Sequence, residues 1–344
     1  MKPNSFGSLT EPEIDALVER QIAGWRGTRL ERRATQERFG FFNAAHLSVF
    51  IFEASKRQIR IRPKPAFTFW PGLEKVQAAQ SRRYLHRAQS YRAFLERALA
   101  RAALDDEFSF AIDVSDGPVG ESDLPIFAFQ KTAGSRHILL PDVDFFRFSW
   151  YRSIEDKVRY HDKSITGCFV GSSTGGQISG QAIMEKSLPR LRAASHFVGS
   201  PLVTFSIASA VQCQTPRAEA LLRAQPYFSG RLDWPAQFKH RFLLSLDGNG
   251  AACSRIAIAL KSNCVPIKFS SPFGLYYFDA AVAGRHYLEV GDEREVEPLI
   301  ELERTRPGYF AEVAAAGTAF FHRYLSLDSV LAYASALLTG CARL

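Results

Sequence analysis

The 344-residue chain has only five cysteines, Cys168, Cys213, Cys253, Cys264 and Cys341, and no two of them form a C-x-x-C pair. An odd, scattered set argues against both a disulfide framework and a zinc centre and points to a reducing compartment. Long apolar runs are missing as well. No stretch approaches the ~20 apolar residues that cross a bilayer, and the opening MKPNSFGSLTEPEID has no signal-peptide core, so a cytoplasmic protein is the expectation. Internal repeats and low-complexity tracts are absent. So are helix-turn-helix, zinc-finger and RNA-binding aromatic signatures, which leaves nucleic acid without a recognition element.

What is present fits a folded protein of about two domains: 46% of the residues are hydrophobic, enough to bury real cores. Charge is unevenly placed. Residues 1–104 carry 19 Lys and Arg against 9 Asp and Glu, a net of +10, whereas the remainder nets −2. Such a surplus suits an acidic partner, such as an anionic membrane surface contacted peripherally or a phosphorylated glycolipid, although solvated helix faces carry similar charge.

Residues 11–35 read as a short amphipathic helix with a basic continuation. Phe41 to Phe52 is apolar and aromatic, and Gln58 to Arg62 alternates like a strand before a break at Pro63, Pro65 and Pro71. The spacing predicts a long helix over 73–104. Tyr84, Ala88, Tyr91, Leu95, Ala98 and Ala102 line one face, and Arg82, Arg83, Arg87, Arg92, Arg97 and Arg101 occupy much of the rest. The tail, 292–340, is helical in pattern, with Asp328 as an N-cap and Gly340 as a stop.

The most informative stretch is RFLLSLDGNGAACSRIAIALKSNCVPIKF, residues 241–269. An apolar run (Phe242 to Leu246), a polar turn (Asp247, Gly248, Asn249, Gly250), a helical segment and a second apolar run (Val265 to Phe269) give the order strand, turn, helix, strand. In a βαβ unit such a turn puts backbone N–H groups and the positive end of a helix at the carboxyl end of the first strand, where an anion binds. Gly248 and Gly250 permit close approach, and Arg255 adds a permanent charge suited to a diphosphate. A plain surface turn would also use paired glycines.

The run LSLDGNGAACSRIAIALKSNCVPIKF resembles the signature of glycosyltransferase family 90, which includes protein O-glucosyltransferases and fungal capsule-associated xylosyltransferases. One departure is that Ser254 directly precedes Arg255. The resemblance implies an α/β, GT-B architecture: two Rossmann-like domains facing a cleft, with a C-terminal helix packing back on the first domain. It also implies a UDP-sugar donor as co-substrate, no further cofactor, and inversion at the anomeric carbon. Domain boundaries follow, with 1–160 plus 326–344 on the acceptor side and 161–325 as the donor domain.

The strand FSFAID runs into Asp113, Asp116, Gly117 and Pro118. The family's "x-x-D-x-P" segment, whose aspartate is the general base, falls on Asp116, with Asp113 as the fallback. One carboxylate suffices, because an inverting transfer needs a single proton acceptor opposite the departing diphosphate. In ITGCFVGSSTGG (165–176), Gly171, Ser172 and Thr174 can offer donors to phosphate or sugar. Relatives have an arginine where this chain has Val170, and often an acidic residue where it has Leu275. SLPRLRAAS brings Arg190 or Arg192 towards the cleft, the choice being open. In the segment 271–290, Tyr276 and Tyr277 can stack on a uracil or serve as core, and His286 begins the next strand. The resemblance implies metal independence, positive groups replacing a cation, although Asp142 and Asp144 form a D-x-D pair. The expected function is transfer of glucose or xylose to a glycan, glycolipid or protein hydroxyl. The alternative is a nucleotide-sugar or glycan binder without catalysis, suggested by Val170 and Leu275.

Overall fold

Apolar runs too short for helices become strands of two five-stranded sheets in a computed structural model of the protein, which describes residues 7–28, 32–65, 71–101, 104–118, 120, 123–144, 154–251 and 253–344. The protein is mixed α/β, and its described residues divide into two units. One lies within Trp150–Pro272 and Phe278–Arg323; the other lies within Gly7–Ser149, Phe273–Tyr277 and Tyr324–Leu344.

The N-terminal unit contains α1 (Glu11–Ile22), α2 (Arg32–Ala45), β1 (Val49–Ser55), β2 (Gln58–Ile61), α3 (Glu74–Leu99), β3 (Phe108–Asp113), β4 (Ile126–Ala128), β5 (Lys131–Thr132) and β6 (Ile138–Leu139). Its sheet runs β2-β1-β3-β4-β6, antiparallel across β2, β1 and β3 and parallel from β3 to β6. Thr10 and Glu13 close a capping box at the start of α1. The predicted stripe on α3 packs as a stripe: Ala88, Tyr91, Leu95 and Ala98 are buried, and Tyr91 donates its hydroxyl to the Pro141 carbonyl. Ala102 lies outside the described residues. The apolar span Phe41–Phe52 divides between the end of α2 and the start of β1.

The second unit contains β7 (Ser164–Ser172), α4 (Gly180–Glu185), α5 (Pro189–His196), β8 (Val203–Ser209), α6 (Pro216–Arg223), α7 (Trp234–Gln237), β9 (His240–Ser245), α8 (Cys253–Lys261), β10 (Val265–Phe269), β12 (Leu288–Val290), α9 (Val296–Thr305) and most of α10 (Ala311–Tyr324). The intervening β11 (Phe273–Gly274) pairs with β5 in the other unit's fold. Every pairing in the β12-β10-β9-β7-β8 sheet is parallel. Taken in chain order, that is the doubly wound order 2-1-3-4-5, and the winding reverses between β7 and β9. Open α/β sheets bind ligands outside the carboxyl ends of the two strands flanking such a reversal. The core beneath includes Phe169 stacked on Phe205 at 4.3 Å between ring centres, and a buried ion pair, Arg241 with Glu303, at 2.8 Å.

The last helix, α11 (Leu327–Ala342), belongs to the N-terminal unit, where it packs on α1 and α3. Tyr333 donates to the Leu139 carbonyl at 2.7 Å. Two details differ from the sequence pattern. Ser326, not Asp328, is the N-cap: its hydroxyl accepts the Ser329 N–H, while Asp328 pairs with Arg101. Gly340 does not end the helix, because tertiary contact with Val18 and Ile22 carries it on to Ala342. Among the described residues no single helix is long and apolar enough to cross a membrane.

Candidate functional site

The site is built where the parallel sheet reverses direction. β7 ends at Ser172 and enters the turn Ser173–Gly176. β9 ends at Ser245 and enters the turn Leu246–Ala251 that leads towards α8. Both turns need glycine. Gly175 and Gly176 have φ of +121° and +146°, and Gly248 packs against Thr174 and Arg190 with no room for a side chain. Asn249 clasps the two turns together, its Oδ1 accepting the Gly175 N–H at 3.2 Å; Gln212 Oε1 accepts the same group at 3.2 Å.

Arg190 ties the two strand ends. Pro189 opens α5, which places Arg190 in the first helical turn. Its Nε donates to the Asp247 carbonyl (2.9 Å) and its Nη2 to the Leu246 carbonyl (3.0 Å). Its Nη1 donates to both the Ser172 carbonyl (2.9 Å) and Thr174 Oγ1 (2.6 Å). Four of the five guanidinium N–H groups are thereby used, which leaves one on Nη2. Arg192, the other arginine in the same helix, instead pairs with Glu293. The sequence left the two open; the structure puts Arg190 on the turns.

Arg255 enters from α8. Its Nη2 donates to the Val170 carbonyl and its Nη1 to Gln237 Oε1 (3.2 Å), with the guanidinium 4.5 Å from the Phe169 ring centre and 5.2 Å from that of Trp234. Arg190 lies 5.3 Å from the same ring centre. Both arginines therefore rest on neutral partners. Neither forms an ion pair with a carboxylate among the described residues. Burial lowers the Arg190 pKa to about 10, Arg255 adding to the effect and Asp247 opposing it. Burial lowers Arg255 to about 10 as well. Two adjacent positive charges without a hydrogen-bonded anion constitute an electrostatic deficit that an anionic ligand would relieve.

The other turn residues have local roles. Asp247 Oδ2 accepts the Ser271 hydroxyl, Gly248 N–H donates to the Gly250 carbonyl (3.1 Å), and Ser172 Oγ lies 3.3 Å from Thr174 Oγ1. Ser254 is half-buried on the first turn of α8. His286 is spoken for: its Nδ1 accepts the Val282 N–H (2.9 Å) and its ring lies 4.8 Å from Phe320.

The remaining predicted residues belong to the N-terminal unit. Asp116 follows β3 with its side chain 38% exposed and one oxygen 2.8 Å from Arg87. Asp113 is fully buried and accepts the Ser115 N–H at 2.9 Å, so it shapes the turn and is sealed from substrate. Tyr276 is a core residue: it is buried, stacks on Tyr333 at 4.5 Å and donates to the Tyr324 carbonyl (3.0 Å). Tyr277 is buried beside it, edge-on, and neither ring is open to a base. Leu275 is buried too. The D-x-D pair is turned inward upon itself, with Asp144 N–H donating to Asp142 Oδ1 (3.0 Å) and the Asp144 carboxylate meeting Arg87. Among the described residues no group of three or more His, Cys, Asp or Glu side chains is placed to hold a metal ion.

Sequence reasoning missed Arg87, Gln212 and Gln237, whose roles arise from long-range packing and leave no local pattern. Gly175 and Gly176 were visible as part of a Gly- and Ser-rich turn. Comparison of the sequence with protein-family models and with curated proteins finds no match to either.

Proposed function

We propose that this chain is an inverting, UDP-sugar-dependent glycosyltransferase whose two units act as the donor and acceptor halves of a GT-B architecture. The observation that carries this reading is the pair Arg190 and Arg255, two guanidiniums supported by carbonyls and aromatic faces at the reversal point of a 2-1-3-4-5 parallel sheet. A diphosphate is the ligand that matches them. Its oxygens would meet the remaining Nη2 N–H of Arg190, beside the Ser173–Gly176 and Leu246–Ala251 turns, and the charge of the two arginines would stabilise the leaving group as it forms. In the reaction the acceptor oxygen bonds to the anomeric carbon while the bond from that carbon to the diphosphate breaks. Asp116 takes the hydroxyl proton and UDP leaves. The positive surplus of residues 1–104 suits an acidic acceptor or work beside an anionic membrane surface on the cytoplasmic side.

The binder reading has its own support in Val170 and Leu275, where the family that the sequence resembles usually has an arginine and often an acidic residue. One experiment separates the two. Melting temperature is measured with UDP, UDP-glucose, UDP-xylose and UMP, and UDP release is followed for the wild type and Asp116→Ala. A ligand at 100 times its Kd adds about 2.7 kcal/mol of stability. The transferase reading expects a shift with the diphosphates, a smaller one with UMP, and UDP release that Asp116→Ala abolishes. Shifts with no release from either protein favour the binder. No shift with any diphosphate refutes the transferase and the nucleotide-sugar binder alike.

A further inference from the structure

Asp116 is not a lone carboxylate. Arg87 reaches it from the middle of α3, donating through Nη1 to the Val114 carbonyl (2.7 Å) and to Asp116 Oδ1 (2.8 Å), and through Nε and Nη2 to Asp144 Oδ2 (3.3 and 2.8 Å). The guanidinium lies 5.3 Å from the Phe129 ring centre. Exposure is graded along this row: the side chains of Arg87 and Asp144 are 15% and 17% exposed, that of Asp116 38%. The rear of the assembly is packed and the front is open. Gln130 Nε2 donates to the Asp116 carbonyl, and Ser115 Oγ to the Gly117 carbonyl (2.6 Å), so the backbone on either side is pinned as well. Asp116 Oδ2 accepts no hydrogen bond from the described residues.

We infer that Arg87 is a positioning residue that fixes Asp116 by Oδ1 and so presents Oδ2 as the proton acceptor, with Asp144 as the rear anchor of the guanidinium. This inference rests on the transferase reading. The chemistry favours the three-membered arrangement over a simple pair. Arg87 divides its donors between two carboxylates and a carbonyl, so Asp116 is tethered without acquiring a cation of its own, and the set keeps a net negative charge for accepting a proton. Burial opposes the charge on Arg87, but its hydrogen bond to Asp144 and the charge of Asp116 outweigh it, and its pKa is raised.

The test compares wild type with Arg87→Met, Arg87→Lys and Asp144→Asn, using UDP-glucose and UDP-xylose with water as the acceptor. The expected result for Arg87→Met is a kcat lower by about 100-fold, the cost of a roughly 1 Å misplacement of a reacting group, with donor KM within about twofold of wild type. Arg87→Lys should recover part of kcat, because an ammonium can still reach Asp116, and Asp144→Asn should fall between. If Arg87→Met does not fold, Asp144→Asn carries the test, since it leaves Arg87 in place and removes only its anchor. Unchanged kcat in a folded Arg87→Met or Asp144→Asn overturns the role of Arg87 and leaves the transferase reading standing. A parallel rise in KM and loss of kcat also overturns it, because that marks a general structural effect. A wild type that releases no UDP overturns the transferase reading and this role together.

Discussion

A Cβ placed on Gly248 would stand 2.9 Å from Nη2 of Arg190. That nitrogen already donates to the Leu246 carbonyl and carries the remaining free N–H of the guanidinium. Thr174 Oγ1 closes the other side of the same glycine. The missing side chain is thus a requirement of the arginine's seat, independent of any backbone strain, since Gly248 does not adopt a positive φ.

Gly248→Ala should therefore displace Arg190 from the strand ends. Overpacking of this kind costs about 1–3 kcal/mol, read as a lower urea midpoint. UDP affinity should fall by at least about tenfold, the equivalent of 1.4 kcal/mol. Calorimetric titration giving wild-type affinity would show that the arginine does not contact the ligand.

The site at the two glycine turns was legible in the sequence to the extent that its chemistry is local. Val265–Phe269 is a strand with the bounds its apolar run implied, and Gly248 of the 247–250 turn lies where no side chain fits. Arg190 and Arg192 were indistinguishable, because two positions along a helix differ by about 200° in direction and only the tertiary fold says which side meets the turns. Tyr276 and Tyr277 misled for a related reason: an aromatic pair reads the same whether it faces a ligand or Tyr333. Asp328 loses the cap to Ser326 because its carboxylate is engaged by Arg101 and the chain enters helical geometry two residues earlier than an Asp328 cap implies. Arg87 was read as part of a solvated arginine face, and nothing in the spacing of α3 distinguishes it from its neighbours.

If Tyr276 is core, a conservative change should affect stability and nothing else. Tyr276→Phe keeps the stack on Tyr333 and loses the hydrogen bond to the Tyr324 carbonyl, at a cost of about 1–3 kcal/mol when the carbonyl is left unpaired. The expected outcome is a lower melting temperature with UDP affinity unchanged. A weakened affinity at unchanged stability would return the ring to the binding site.

Lys64 supplies a pH dependence. Its Nζ donates to the Asn43 and His46 carbonyls at 2.5 and 2.6 Å and lies 4.9 Å from the Phe50 ring centre. Burial lowers its pKa from the ordinary 10.5 to about 8, Asp113 opposing the shift. Between those two values the unfolded chain holds the proton that the folded chain has released, so stability rises with pH across that window. Relative to Lys64→Met, the wild type should gain melting temperature from pH 8 to pH 10, and parallel curves for the two proteins would refute the assignment.

Glu303 holds a buried ion pair in the unit that carries the parallel sheet. It is wholly buried, pairs with Arg241 at 2.8 Å and accepts the N–H groups of Gly308 and Phe310 at 2.7 and 3.0 Å. Burial would raise its pKa, but the hydrogen bonds from Phe310, Gly308, Tyr160 and Arg241 outweigh it and lower it from 4.5. The stability it confers is therefore complete above pH 4.5 and is lost as pH falls through the lowered folded value. Glu303→Gln keeps an acceptor for only one of the two backbone N–H groups, which bond different carboxylate oxygens, and strands the Arg241 charge, so it should cost about 3–5 kcal/mol. Adding Arg241→Met removes that stranded charge. The double variant should thus be more stable in urea than Glu303→Gln alone, although still below wild type, because the His161 and Lys163 carbonyls that Arg241 served are then unpaired. A double variant weaker than either single one would mean that Arg241 matters through those carbonyls and not through its charge.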